Sequence, residues 1–125
     1  MPLKAHEVLT GVLGLMAEVS NSRELHLRDR RKLYECVREL CVTRPGDIFD
    51  FQFRNRSGEL VSPDVDLCLR NLEDSERLRC LNPDLVDFEE TDTKRKEFTE
   101  SVRPRLEEMQ LLDLFMEASK KCLAE

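Results

Sequence analysis

The stretch that most constrains the fold is the last one, residues 105–124. Read three or four positions apart, a mostly apolar face contains Leu106, Met109, Leu112, Phe115 (or Met116), Ser119 and Cys122 or Leu123. Charged residues fall largely opposite, at Glu107, Glu108, Asp113, Glu117, Lys120 and Lys121. The pattern predicts one amphipathic helix of about five turns. A helix with a single apolar stripe must bury that stripe, so the remaining chain is expected to supply the partner surface.

Residues 3–19 show the same helical period, with apolar residues at Ala5, Leu9, Val12, Met16 and Val19. Gly11 and Gly14 interrupt this helix, and each costs about 1 kcal/mol relative to alanine. They indicate either the close approach of another helix or a weak helix. After the break at residues 20–22, Asn21 and Glu24 have the spacing of a capping box. A second helix is therefore predicted from there to Val42, forming an αα-hairpin with the first.

The period then changes from helical to alternating. Phe49, Phe51 and Phe53 alternate with polar residues, which is strand spacing, and residues 55–58 are typical of a turn. Residues 59–61 are a candidate return strand. The pattern predicts a β-hairpin near residues 48–61 whose three rings pack on the helices, because a two-stranded hairpin is unstable alone. An irregular loop held by the three rings is the alternative.

The signals after the hairpin are mostly helical. Ser62-Pro63-Asp64 is typical of a helix start, and the following helix is predicted to end near Glu73. The segments that follow are predicted to be a short helix containing Leu78 and Leu81, a second helix start at Asn82-Pro83-Asp84, a loop at 89–93, and a helix through Phe98 and Val102 that is capped by Asp92 or Thr93 and kinked or restarted at Pro104. The predicted fold is a mainly α, compact helical domain of about four to six helices with one small β-hairpin, spanning residues 1–125 as a single domain.

Composition narrows the functional classes. The net charge of −6 argues against broad binding to nucleic acid or anionic membranes, both of which need a basic surface. The five cysteines are an odd number without tight spacing, which fits a reducing compartment. The apolar residues 8–17 are too short to span a bilayer and lack the positive flank of a signal peptide. We expect a cytoplasmic or nuclear protein with no membrane contact.

No stretch of the sequence carries a reaction. The two histidines, His6 and His26, fall on different predicted helices, and no phosphate loop, zinc-protease motif or nucleophile elbow is present. Cys36 and Cys41 are five residues apart, which separates them by about 140° on a helix and does not suit a shared metal ion. The sequence therefore predicts a protein that is not an enzyme and has no cofactor or metal.

The leading functional hypothesis is a non-catalytic protein–protein interaction module, an adaptor or regulatory subunit. It would bind another protein, or a second copy of itself, through an apolar helical face flanked by charged residues. The predicted partner-binding residues are Arg28, Arg30, Arg31, Tyr34, Phe88 and Met116. Residues 85–90 mix apolar and acidic side chains, so this run is either a docking segment or a plug of the core.

The sequence leaves two other functions as alternatives. The runner-up is a nucleic-acid-associated module that uses the basic clusters 28–32 and 94–105, and the third is a small enzyme. The alternative for the basic clusters is pairing with acids such as those of residues 84–92. Salt dependence separates the first two functions, since counterion release makes nucleic-acid affinity fall steeply with ionic strength.

Overall fold

A computed structural model describes residues 2–27, 30–82 and 86–123. In chain order its elements are α1 (Ala5–Ser20), β1 (Glu24–Leu27), α2 (Arg31–Thr43), β2 (Arg54–Arg56), β3 (Glu59–Val61), α3 (Pro63–Asp74), β4 (Leu78–Asn82), β5 (Val86–Glu90), α4 (Asp92–Glu97), a π-helical segment (Phe98–Val102), α5 (Arg103–Glu108) and α6 (Leu112–Leu123). The prediction of a compact, mainly α domain with a small hairpin is confirmed.

Helix α1 forms the centre of the core. Residues 8–17 are all buried, because α6, α3 and the π-helical segment pack around them. The buried surface of α1 is therefore wider than the predicted apolar stripe, because the middle of the helix is covered on nearly every side. A helix that is apolar all round belongs inside a domain rather than on its surface.

The two glycines of α1 allow this packing. A Cβ atom built on Gly14 would lie 2.4 Å from Cδ1 of Phe98, and one on Gly11 would lie 3.2 Å from two ring carbons of Phe115. Of the two readings of these glycines, close approach of a neighbouring helix is the correct one. The neighbours are the π-helical segment at Gly14 and α6 at Gly11.

The prediction for residues 21–42 is partly wrong. Asn21 ends α1 in a left-handed conformation, with φ of 53°, instead of capping a second helix. Residues 24–27 form strand β1, and α2 begins only at Arg31. Both α1 and α2 pack against α6, so the predicted αα-hairpin of the first two helices is replaced by contacts with the last one.

A three-stranded antiparallel sheet in the order β1-β5-β4 takes the place of elements predicted as helix and loop. Phe88 of β5 lies opposite Leu25 on one side and Cys80 on the other. Along β5 the buried residues Phe88 and Glu90 alternate with the half-buried Asp87 and Glu89. This period of two is the strand signal, and it is too short to be recognised beside the helical signals. The predicted helix start at residues 82–84 falls between β4 and β5, and residues 83–85 lie outside the described residues.

The β-hairpin is present but shifted. Arg54–Arg56 pairs with Glu59–Val61, and Ser57 and Gly58 both have positive φ, of 53° and 82°, as a two-residue hairpin turn requires. The alternating phenylalanines precede the strand and form an irregular segment. Phe51 is buried, whereas Phe49 is 40% exposed, so the three rings do not share one buried face.

The prediction of a single long helix over residues 105–124 is also wrong. Gln110 has a φ of 59°, which ends α5, and α6 restarts at Leu112. The break rotates the buried stripe: Leu111, Phe115, Ala118 and Cys122 are buried, while Met109, Leu112 and Met116 are only partly so. Ahead of α5, the π-helical segment ends at Val102, and Pro104, which has no N–H to donate to the preceding turn, is the second residue of α5.

We expect Gly14→Ala to lower the free energy of unfolding by about 1–3 kcal/mol, because the new methyl group overlaps the Phe98 ring in a packed core. Gly11→Ala is the matched control: its contacts are 3.2–3.3 Å, and the gain in helix propensity of about 1 kcal/mol opposes a small displacement. Urea unfolding measures both variants. Equal stability of Gly14→Ala and the wild type would contradict the packing described here.

Candidate functional site

A partly apolar groove lies between the start of α1 and α3. Leu67 is 57% exposed and Phe49 is 40% exposed, and both line this groove. It has a volume of about 360 Å³ and is further lined by Lys4, Ala5, His6, Asp64, Cys68 and Asn71. We call it the α1–α3 groove.

The groove continues along α3. His6 and Asn71 also line a neighbouring depression of about 340 Å³, which extends to Ser75 and Arg77. Asp64, Leu67, Asn71 and Ser75 are three or four residues apart and therefore share one side of the helix. Together the two depressions follow α3 for about 16 Å, at about 1.5 Å per residue. That length suits a short peptide segment.

Backbone contacts fix the walls of the groove. Leu3 N–H donates to the Asp47 carbonyl and Phe49 N–H donates to the Leu3 carbonyl, both over 2.9 Å, which holds Phe49 beside the start of α1. On the other wall, Ser62 caps α3: its Oγ accepts from Val65 N–H at 3.3 Å and donates to the Gln52 carbonyl at 2.8 Å. Asp64 accepts from Gln52 N–H at 2.8 Å. The predicted start of α3 is thus confirmed and tied to the chain beside Phe49.

The two walls differ in charge. The carboxylate of Asp64 lines the α3 wall, whereas the ammonium group of Lys4 lines the α1 wall. Helix α3 as a whole carries four acids, Asp64, Asp66, Glu73 and Asp74, against one base, Arg70. Opposite charges along the two sides of an apolar groove orient a ligand more than they strengthen its binding.

A second cluster joins the starts of α2 and α3. Asp66 Oδ1 accepts from Arg30 Nη1 at 2.7 Å and from the Tyr34 hydroxyl at 2.5 Å. Burial and the Asp66 carboxylate raise the pKa of Tyr34 to about 12. Arg30 and Tyr34, two of the predicted partner-binding residues, thus lie together, and they hold α2 against α3.

The other predicted partner-binding residues are scattered. Arg28 lies outside the described residues, and Arg31 is exposed at the first turn of α2. Phe88 is only 1% exposed, so its prediction as a contact residue is corrected: in the strand it faces the core. Met116 is partly buried against the core. The sequence pattern missed both apolar residues of the groove. Leu67 lies on α3 away from its buried residues, and Phe49 belongs to the alternating run that was expected to pack on the helices.

Most basic residues of the cluster 94–105 form ion pairs within the protein. Arg95 and Arg103 both contact Glu18 of α1, at 2.8 and 2.5 Å, and Arg105 contacts Glu7 of α1 at 2.8 Å. Arg95 also lies over the Phe98 ring, 4.9 Å from its centroid. The alternative of intramolecular pairing is therefore correct for these arginines, although their main acidic partners lie on α1 and not in residues 84–92.

Lys94 and Glu90 form a fully buried ion pair at the centre of this network. Lys94 Nζ donates to Glu90 Oε2 and, at 3.4 Å, to the Thr10 carbonyl. Arg95 Nη1 donates to Glu90 Oε1 at 3.3 Å. Burial lowers the pKa of Lys94, while the Glu90 carboxylate opposes that shift. The network ties β5 and α4 to the middle of α1.

The described residues contain no group of three or more histidine, cysteine or acidic side chains placed to hold a metal ion. Among their helices, none has the length and apolar character needed to cross a bilayer. Comparison with known protein families, curated proteins and solved structures gives no match to this chain.

The tyrosine cluster has a direct optical test, because the chain contains one tyrosine and no tryptophan. We expect tyrosinate absorbance of the folded protein to titrate near pH 12, where the pKa is raised, and near pH 10 after unfolding in urea. Since the folded pKa is the higher, this contribution to stability is present below pH 10 and is lost between pH 10 and 12. Asp66→Asn should move the folded titration downwards. Identical titrations of wild type and Asp66→Asn would contradict the cluster.

Lys94→Met should lower the free energy of unfolding by about 3 kcal/mol or more, because it leaves a buried carboxylate without its nearest cation. The matched control is Lys121→Met, which removes an exposed ion pair with Glu39 and should leave the urea midpoint unchanged. A Lys94→Met variant as stable as that control would show that Glu90 does not need its lysine.

Proposed function

We propose that this protein is a non-catalytic interaction module that binds a short segment of another protein in the α1–α3 groove. The observation that carries the proposal is the exposure of Leu67 and Phe49 together in one groove with oppositely charged walls. Recognition sites on protein surfaces typically combine an apolar pocket with a few charged groups that fix orientation.

The charges of the groove define the partner. An apolar side chain of the partner would lie between Leu67 and Phe49, a basic residue beside Asp64, and an acidic residue beside Lys4. The proposed ligand is therefore a segment in which an apolar anchor stands between a base and an acid. The volume of about 360 Å³ accommodates one or two side chains, which makes this a small, transient interface.

This site differs from the one expected from the sequence. The apolar residues of α1 and α6 are largely buried in the core, so these helices offer no wide apolar face for a partner. The functional class stays as predicted, an adaptor or regulatory subunit of the cytoplasm or nucleus. A second copy of the chain is the other occupant, and light scattering over a concentration series distinguishes it from a foreign partner.

The nucleic-acid alternative has less support. Helix α3, beside the groove, has four acids and one base, which opposes contact with phosphates. Arg95, Arg103 and Arg105 of the second basic cluster are paired with Glu18 and Glu7 of α1. The surface beside α3 therefore suits a protein ligand better.

Selection from a phage-displayed peptide library against the wild-type protein tests the proposal. We expect the enriched peptides to share an apolar residue between a base and an acid. Leu67→Lys should weaken their binding at least tenfold, which is about 1.4 kcal/mol, because it removes the apolar contact and adds a like charge to the partner's base.

The control is Val42→Lys, which adds the same charge at a residue that is 72% exposed and does not line the groove. It should bind the peptides as the wild type does. Equal loss in both variants, or peptide-induced NMR shifts confined to residues outside the groove, would overturn the proposed site. Tight, steeply salt-dependent binding of a duplex oligonucleotide would instead support the nucleic-acid alternative.

A further inference from the structure

A pair of buried thiols lies where α2 meets α6. Cys36 and Cys122 are 4% and 2% exposed, and each thiol shifts the pKa of the other across this interface. The neighbouring ion pair of Glu39 and Lys121, at 3.0 Å, joins the same two helices beside them. The ion pair and the packing of α2 on α6 therefore bring the two buried thiols close to each other.

The two thiols are not equivalent. The contact with Cys122, together with burial, raises the pKa of Cys36 well above its ordinary value. The same contact and the charge of Lys32 lower the pKa of Cys122, against the effect of burial. Since the thiolate is the nucleophile, Cys122 is the sulfur that reacts first.

Position gives Cys122 a route to solvent. It lies in the last turn of α6, which ends at Leu123, and helix ends open locally far more often than helix centres do. The other buried thiol, Cys68, lies in the middle of α3. Local opening of the end of α6 therefore exposes Cys122 before it exposes the interior.

We propose that Cys36 and Cys122 form a redox-responsive lock, a reversible disulfide that fastens the end of α6 to α2. With hydrogen peroxide as the oxidant, the Cys122 thiolate attacks one peroxide oxygen, forming a sulfenic acid and releasing hydroxide, which is protonated to water. The Cys36 sulfur then displaces the sulfenic oxygen as a second water. Two thiols and one peroxide give one disulfide and two waters, and a thiol such as glutathione reverses the reaction.

The lock acts on helix α6, which packs on both α1 and α2. Reduced, the last turn of α6 opens and closes; oxidised, it is held to α2. The disulfide closes a loop of more than 80 residues, and long loops give the largest stabilisation when they are closed. Transient disulfides of this kind are the form that redox regulation takes in reducing compartments.

The test treats the folded wild-type protein with a small excess of hydrogen peroxide, then blocks free thiols and maps disulfides by mass spectrometry of peptides without reduction. We expect Cys36–Cys122 to be the main intramolecular disulfide, the melting temperature to rise by more than about 5 °C, and both effects to reverse with dithiothreitol. Hydrogen exchange of the last turn of α6 should slow on oxidation.

Two variants are compared with the wild type. Cys122→Ser should lose the disulfide and the rise in melting temperature, whereas Cys68→Ser, which removes a buried thiol elsewhere, should keep both. A Cys80→Ser background removes the exposed thiol and with it disulfides between molecules. A peptide map that shows other pairings, a Cys36 that stays reduced while Cys122 is overoxidised, or a fall in melting temperature on oxidation would overturn the proposal. The mapping uses wild-type protein and so does not depend on the folding of a variant.

Discussion

The close contact of α1 with its neighbours is the constraint on which the rest of the structure depends. Phe98 and Phe115 lie over Gly14 and Gly11, where any side chain would push the rings away. These two contacts place the π-helical segment and α6 against α1. The chain that follows Glu90 therefore passes along α1 twice, first as the π-helical segment and then as α6. The π-helical turn and the break at Gln110 direct this path.

Charge follows the same geometry. Glu7 and Glu18 near the two ends of α1 bind Arg105 on the one hand and Arg95 and Arg103 on the other, and the buried Glu90–Lys94 pair fills the space between them. Such pairs specify which arrangement is adopted more than they add to stability. These ion pairs also engage the arginines of the basic cluster 94–105, which reduces the positive charge that the cluster could offer to phosphate. Helix α3 is itself acidic, with four acids and one base.

The proposed binding groove and the proposed thiol lock involve different parts of the fold. The α1–α3 groove lies at the start of α1, whereas the Cys36–Cys122 pair lies between α2 and the end of α6. A binding surface needs apolar residues that are exposed and are not buried in the core. Leu67 and Phe49 meet that description, while Phe88, Met116 and the stripe of α6 do not.

By itself the sequence determined the helical class, the apolar centre of α1, the turn at Ser57-Gly58 and the capped start of α3, because each depends on local period, capping or turn chemistry. For Gly11 and Gly14 it left two interpretations open, close approach of another helix or a weak helix, and the structure decided for close approach. Only the tertiary structure decided that residues 24–27, 78–82 and 86–90 are strands, since each is too short for a reliable period and is stabilised by pairing with distant residues. The same holds for the groove and the thiol pair: Phe49 with Leu67, and Cys36 with Cys122, are far apart in the chain, and packing alone brings them together.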